Sequence, residues 1–225
     1  MLLIVSPMPT STVENYIKAI YQECRTIPDP LLPIGRLARF LQVAPGTATS
    51  MVKSLRDAGL VHYEPRIGVR LSDKGEVLAL RVLRRHRLVE LFLARILKMD
   101  WSEIHEEAED LEHVISDRVL EKIDRLLGFP RYDPHGDPIP SDSGHVIERD
   151  LRSLRTCRLG ESATIARIMD QEPSFLQFAE KRGLVPGKTL TVVGKNPVAE
   201  AMEVENEDLI VTTLGDQAAE KIEVE

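Results

Sequence analysis

The chain has 225 residues, 43% of them hydrophobic and 4% aromatic, with a formal net charge of −7. That length allows one large domain or two to three small ones, with a core that must rely on aliphatic side chains. No apolar run approaches the roughly 20 residues that span a bilayer, the opening MLLIVSPM lacks the basic start of a signal peptide, and two distant cysteines, Cys24 and Cys157, fit a reduced, cytoplasmic setting. Charge is unevenly spread. Residues 1–75 hold 9 Lys and Arg against 6 Asp and Glu, whereas residues 76–143 and 144–225 each hold 10 against 15. A mildly basic third suits a phosphate backbone, and acidic remainders suit cations.

Thr10-Ser11-Thr12 can cap a first helix with Glu14 in its first turn. Val13, Ile17, Ile20 and Cys24 then recur at helical spacing, and the helix should stop before Ile27-Pro28-Asp29-Pro30. Ile34, Leu37, Ala38 and Leu41 predict a short amphipathic helix, and Val43-Ala44-Pro45-Gly46 a tight break. A second helix should run from about Pro45 to Ala58, burying Ala48, Val52 and Leu55, with Gly59 ending it. Leu60-Val61-His62-Tyr63 and Val69-Arg70-Leu71 read as strands around a turn at Glu64-Pro65-Arg66-Ile67-Gly68. Helix, turn, helix and hairpin together predict a winged helix-turn-helix. Thr47, Thr49, Ser50 and Lys53 fall on the exposed face of its second helix, Arg66 and Arg70 on the wing, and Arg36 and Arg39 on the outer face of the preceding helix. Small hydroxyls suit close approach to phosphates and bases, and the cations suit backbone charge, so Arg36, Thr47, Thr49, Ser50, Lys53, Arg66 and Arg70 are the expected DNA contacts. An ordinary polar surface, or a protein-interaction role, is the competing reading.

Ser72-Asp73 should cap a long helix from about Lys74 to Leu97. Its apolar residues, Leu78 through Ile96, exceed what one buried side needs, which predicts packing on two sides and a second subunit. After a break at Met99-Asp100-Trp101-Ser102, a helix is expected to carry His105 to Val114, and Ser116-Asp117 to begin another that ends at Gly128-Phe129-Pro130. The stretch from His86 to His113 is the most informative one. His86 and Glu90 lie four apart, and His105, Glu109, Glu112 and His113 follow at i, i+4, i+7 and i+8, so imidazole and carboxylate would share helix faces. Such mixed donors suit a divalent first-row metal. The competing reading is a solvated acidic face, which Glu103, Glu106, Glu107 and Asp110 are expected to form.

Arg131 to Gly144 is rich in Pro, Gly and Asp and reads as an exposed linker. Beyond it a short helix is expected at Ile147–Leu154, strands at Thr164–Ile168, Thr189–Val193, Ala201–Val204 and Leu209–Thr213, and a helix at Ser174–Lys181. Short strands with Gly and Pro turns suggest a small barrel.

The blocks VENYIKAIYQE, VAPGTATSMVKSLRDAGLV, RRHRLVELFL, IHEEAEDLEHVISD and HGDPIP, at this spacing, resemble the diphtheria toxin repressor (DtxR/MntR) family of metal-dependent transcriptional regulators over nearly the whole chain. The resemblance implies a winged helix-turn-helix at 1–75, a helical metal-binding and dimerisation domain at 76–143, and an SH3-like, FeoA-type β-barrel at 144–225. It also implies an ancillary metal site at His86, Glu90 and His105, and a primary one at Glu109, Glu112 and His113. A further ligand comes from the first helix in this family. Asn15 stands where relatives have Met or Asp, with Glu14 its neighbour, and Lys18 stands where the manganese branch has Glu. Iron-sensing members carry Cys at the position of Glu109, so a carboxylate there resembles the manganese-sensing branch. In FeoA-bearing relatives that domain can donate ancillary ligands, and the matching positions are near Gln171 and Ser174, with Glu172 adjacent; a stabilising role is the alternative.

The expected protein is therefore mainly α with small β: a homodimeric, cytoplasmic repressor that binds palindromic double-stranded DNA. Mn2+ is its co-repressor, Fe2+ the second choice, and metal-transport genes its targets. Metal would bridge the first helix to the His/Glu helices and favour a conformation whose recognition helices match successive major grooves. A metal-independent winged-helix regulator is the first alternative. An enzyme is the second, but no His-Glu-x-x-His supports a zinc peptidase, and no pair of Glu-x-x-His motifs supports a di-metal oxidase.

Overall fold

The computed structural model describes residues 10–27 and 31–225. The opening MLLIVSPM and the helix stop at Pro28-Asp29-Pro30 lie outside the described residues. The chain divides into two compact units, residues 1–84 with 140–144, and residues 85–139 with 145–225.

In the first unit, α1 (Ser11–Cys24) starts where Thr10 accepts a hydrogen bond from the Val13 N–H. Helix α2 (Ile34–Phe40) turns into α3 (Pro45–Asp57) through Gln42, which takes a left-handed φ of 53°. Pro45 occupies the first turn of α3, where its missing N–H costs nothing. Gly59, at φ 72°, ends the helix. Strands β1 (Val61–Glu64) and β2 (Gly68–Leu71) pair antiparallel from Val61–Leu71 to Glu64–Gly68. Tyr16, Ile17 and Ile20 of α1 share one core with Leu37, Ala48, Val52, Leu55 and Val69. The predicted helix-turn-helix and wing are present with bounds shifted by one or two residues. Ser72 then caps α4 (Asp73–Phe92), its Oγ accepting from the Gly75 N–H and donating to the Gly59 carbonyl.

In the second unit, α4 is buried on two sides. Val89 and Leu93 pack with Ile104 and Ala108, while Leu88 and Leu91 pack with Ile139, Leu120 and Leu127. The expected continuous helix to Leu97 instead loosens into a π-turn at Leu93–Leu97, which Lys98 ends in a left-handed conformation at φ 60°. Helix α5 (Ile104–Leu111) is shorter than expected. Ser102 does not cap it, because its hydroxyl and N–H both turn back to the Asp100 carboxylate. The helix closes at Leu111, and Glu112 and His113 sit in the following turn. Helix α6 (Asp117–Leu126) begins at Ser116, which accepts from the Val119 N–H.

The segment expected to be an exposed linker is folded. Residues 133–136 are buried, Tyr132 bridges Pro138, and the Ile139 N–H donates to the Arg131 carbonyl. No α-helix forms at 147–154. There, Arg149 reaches the Gly136 and Ala166 carbonyls and lies over the Tyr132 ring, and the chain enters β3 (Arg152–Ser153). Strand β4 (Ser162–Ile168), α7 (Pro173–Lys181), β5 (Thr189–Asn196), β6 (Ala201–Asn206), β7 (Val211–Gly215), α8 (Asp216–Glu220) and β8 (Ile222–Val224) complete the chain. The expected barrel is not closed. The strands form an open sheet ordered β3-β8-β4-β5-β6-β7, with a core of Ile165, Leu176, Leu190, Val204 and Ile222. Strands β3 and β8, of two and three residues, and the five-residue helix α8 escaped the sequence reading because so few residues carry no usable periodicity.

Candidate metal centre and nucleic-acid interface

Helical geometry puts His86 and Glu90 on one face of α4. His86 is buried between two carboxylates, with Nε2 2.9 Å from Glu90 Oε1 and Nδ1 2.7 Å from Glu112 Oε2. Glu90 is 1% exposed and Glu112 is fully buried. Helix α5 adds His105, whose Nδ1 lies 3.2 Å from Glu90 Oε1, and Glu109, whose Oε1 is 3.8 Å from both His86 Nδ1 and His105 Nε2. His113 Nε2 stands 3.4 Å from Glu112 Oε1. Six of the sequence-predicted ligands thus gather at one place. His86, Glu90 and His105 present ligand atoms within 4.8 Å of one another, as do His86, Glu109 and Glu112. His86 belongs to both sets, so the two groups are less separate than the family resemblance implies. Asn15 lies half-buried on α1 in the first unit, after buried Glu14 and before buried Lys18.

A third group, Glu90, Asp133 and His135, likewise brings ligand atoms within 4.8 Å of one another and is wholly buried. Sequence reasoning missed Asp133 and His135. The available signal was a carboxylate and an imidazole two residues apart in a proline-framed loop, outweighed by a composition that reads as solvated. Asp133 Oδ1 accepts the N–H groups of His135 and Asp137, each at 2.9 Å, which folds the loop over its own carboxylate. Both ring nitrogens of His135 are buried without a hydrogen-bond partner among the described residues, although Trp101 packs edge-on against the ring. Buried polar atoms are ordinarily satisfied, so two orphaned imidazole nitrogens beside two carboxylates fit a cation.

Electrostatics agree with this fit. Burial would push the Glu90 carboxyl up, but the charge of His86 and the hydrogen bonds from His105 and His86 outweigh it and hold the group well below the usual carboxylate range. Burial, and then the charges of Asp137 and Glu90, push Asp133 well above that range against the pull of Arg87. Burial lowers His135 despite Glu90 and Asp137 nearby, which favours the neutral ring that a metal needs. Of the positions matched to FeoA-donated ligands, Ser174 and Glu172 are exposed, and Gln171 Nε2 donates to Asp137 Oδ2 at 2.9 Å.

In the first unit, Thr47, Ser50 and Lys53 are exposed along α3, and Arg66 and Arg70 on the wing. Thr49 donates its hydroxyl to the Pro45 carbonyl at 2.8 Å. Arg36 does not face freely outward as expected. Its Nε pairs with Glu23 at 2.5 Å and its Nη2 donates to Thr26, tying α2 to α1.

Comparison with known proteins matches the chain in three segments. Residues 8–69 match the N-terminal DNA-binding domain of iron-dependent repressors, residues 72–141 their metal-binding and dimerisation domain, and residues 152–225 the FeoA domain. The iron-dependent repressor IdeR of Mycobacterium tuberculosis is 33% identical over 193 residues, covering 80% of this chain and 83% of that protein. The diphtheria toxin repressor of Corynebacterium efficiens is 31% identical over 140 residues, 62% of this chain and 60% of its own length. Among solved structures, a manganese-dependent transcriptional repressor in complex with manganese superposes with a TM-score of 0.82 at 37% identity, covering 94% of this chain and 98% of that one. ScaR with bound Zn2+ gives 0.74 at 31%, covering 96% and 99%. The chain belongs to the diphtheria toxin repressor (DtxR/MntR) family, whose members are DNA-binding, metal-dependent transcriptional repressors and not enzymes.

Proposed function

We propose that the protein is a Mn2+-responsive repressor that binds palindromic operators as a cytoplasmic homodimer and controls metal-transport genes. The observation that carries the reading is the buried His86 ring, with a carboxylate on each nitrogen, inside a donor set made only of imidazole nitrogen and carboxylate oxygen. Hard oxygen donors without thiolate favour Mn2+ over softer metals, with Fe2+ next. His86, Glu90, His105, Glu109, Glu112 and His113 would hold the ion, and Asp133 and His135 extend the set through Glu90. Asn15 is offered as a further ligand on the family likeness alone. A bound divalent cation would supply the positive charge that this concentration of buried carboxylate lacks. Glu90 and Glu112 orient the imidazole of His86, and the folded loop at 131–139 presents Asp133 and His135 already desolvated.

Thr47, Thr49 and Ser50 on α3 are the proposed groove-facing residues, with Lys53 on the same helix and Arg66 and Arg70 on the wing as backbone contacts. Arg36 serves the integrity of the helix-turn-helix. The exposed apolar residues Ile96, Leu97, Val119, Leu126 and Phe129 are the proposed dimer surface. Among the described residues no helix is long and apolar enough to cross a membrane. The test is fluorescence anisotropy of a palindromic duplex, selected from a random pool with Mn2+ present, for wild type and Glu109→Ala. Wild type should bind tightly only with Mn2+, and Glu109→Ala should lose most of that gain. Equal affinity with and without metal would instead favour a metal-independent regulator.

A further inference from the structure

The loop at 131–139 has two working faces. One carries Asp133 and His135, grouped with Glu90. The other is fastened to the FeoA domain. The Ile168 N–H of β4 donates to the His135 carbonyl at 2.8 Å, and Arg149 clamps the Gly136 and Ala166 carbonyls together at 2.7 and 2.8 Å. Gly136, at φ 90°, lies so close to β4 that an added Cβ would stand 2.0 Å from the Ala166 oxygen. Asp137 is the hinge of this arrangement. Its backbone N–H holds Asp133 Oδ1 at 2.9 Å, and its carbonyl accepts from the Asp133 N–H at 2.9 Å. Its carboxylate receives Gln171 Nε2 at 2.9 Å and faces Arg167 at 3.5 Å, both from the FeoA domain. Arg87, one turn before Glu90 on α4, forks between Asp133 at 3.5 Å and Asp137 at 3.6 Å and donates to the Pro138 carbonyl.

We infer that Asp137, gripped by Gln171 and Arg167 of the FeoA domain and by Arg87 of α4, is a positioning residue for the Glu90–Asp133–His135 cluster, so that seating of the FeoA domain and metal occupancy of that cluster are linked equilibria. The inference rests on the metal-responsive reading above. The FeoA domain contributes through the orientation of Asp133 and His135, and Gln171 acts on the carboxylate beside the ligands. Linkage is reciprocal: whatever factor the docked domain adds to metal affinity, metal adds to docking. Partners that orient ligands typically matter by roughly ten- to a hundred-fold in metal affinity.

The experiment titrates the full chain with Mn2+ by calorimetry and follows hydrogen exchange of the Ile168 amide. In wild type, Mn2+ should slow that exchange, and in Asp133→Asn it should not. Gln171→Ala should weaken one Mn2+ binding step about ten-fold while leaving the other steps and the metal-free melting temperature near wild type. Asp137→Ala should weaken the same step further, and Asp137→Asn should recover part of the loss. Wild-type affinity at every step in both Gln171→Ala and Asp137→Ala would overturn the inference, as would Ile168 exchange indifferent to Mn2+. If those variants behave as wild type while Mn2+ still drives operator binding, the inference alone falls. If the wild type binds no Mn2+, the functional reading falls with it.

Discussion

Glu90→Gln isolates the charge at the middle of the cluster, because it keeps the side-chain volume and one carbonyl oxygen. Glu90 accepts from His86 at 2.9 Å and His105 at 3.2 Å while almost wholly excluded from water. Breaking a buried ion pair by removing one partner costs about 3–5 kcal/mol. Glutamine retains a hydrogen-bond acceptor and His86 retains Glu112, so the loss should fall to about 2 kcal/mol, near the range for a hydrogen bond to a charged group. Trp101 is the sole tryptophan and packs against His135, so its fluorescence reports unfolding of this unit. With a urea m-value of about 2 kcal/mol/M, the midpoint should drop by about 1 M at neutral pH. The sign with pH follows from the depressed Glu90 group. Its contribution is fully present above the ordinary glutamate value of about 4.3 and is lost as pH falls through the lower folded value. The gap between wild type and variant should therefore close in acid. A variant as stable as wild type at neutral pH, or a gap that widens in acid, would refute the reasoning.

Gly136→Ala should destabilise the second unit by about 2–5 kcal/mol, the sum of left-handed strain and overpacking against Ala166, as read in the same urea titration. Mn2+ affinity should rise with pH, because a proton held on Asp133 by its raised pKa must leave before the carboxylate can coordinate. Calorimetry in buffers of different ionisation heat should show proton release on binding. Lys53→Ala and Arg70→Ala should each lower the salt slope of operator binding by about 0.9. Arg36→Ala should leave that slope unchanged, since its guanidinium is committed to Glu23 and Thr26, and should cost about 1 kcal/mol or less of stability.

The winged helix was legible because each boundary is written in local chemistry: the cap at Thr10, the proline at the start of α3, the left-handed glycine at Gly59. His86 with Glu90 and His105 with Glu109 were legible for the same reason, being four apart on helices that do form. Glu112 and His113 reached the site by another route. Helix α5 stops at Leu111, and the turn after it, unseen in a helical pattern, presents both residues. The loop at 131–139 was misread because proline, glycine and aspartate mark a turn without saying whether water or protein surrounds it. Its burial comes from Arg87, Arg149 and the Ile168 amide, contacts made across 13 to 51 positions of chain or by the edge of a strand. Local periodicity holds no record of such contacts. The open sheet has a similar cause, since the two-residue β3 and three-residue β8 are defined by their partners.

The central claim is that the carboxylate–imidazole groups around His86 and His135 bind the regulatory cation. Anomalous difference maps from crystals grown with Mn2+ and collected across the manganese edge test it most directly. The account predicts peaks within coordination distance of His86, Glu109 and Glu112 and of Glu90, Asp133 and His135, with none at the latter group in Asp133→Asn crystals. Saturating Mn2+ with no anomalous peak at either group would contradict it.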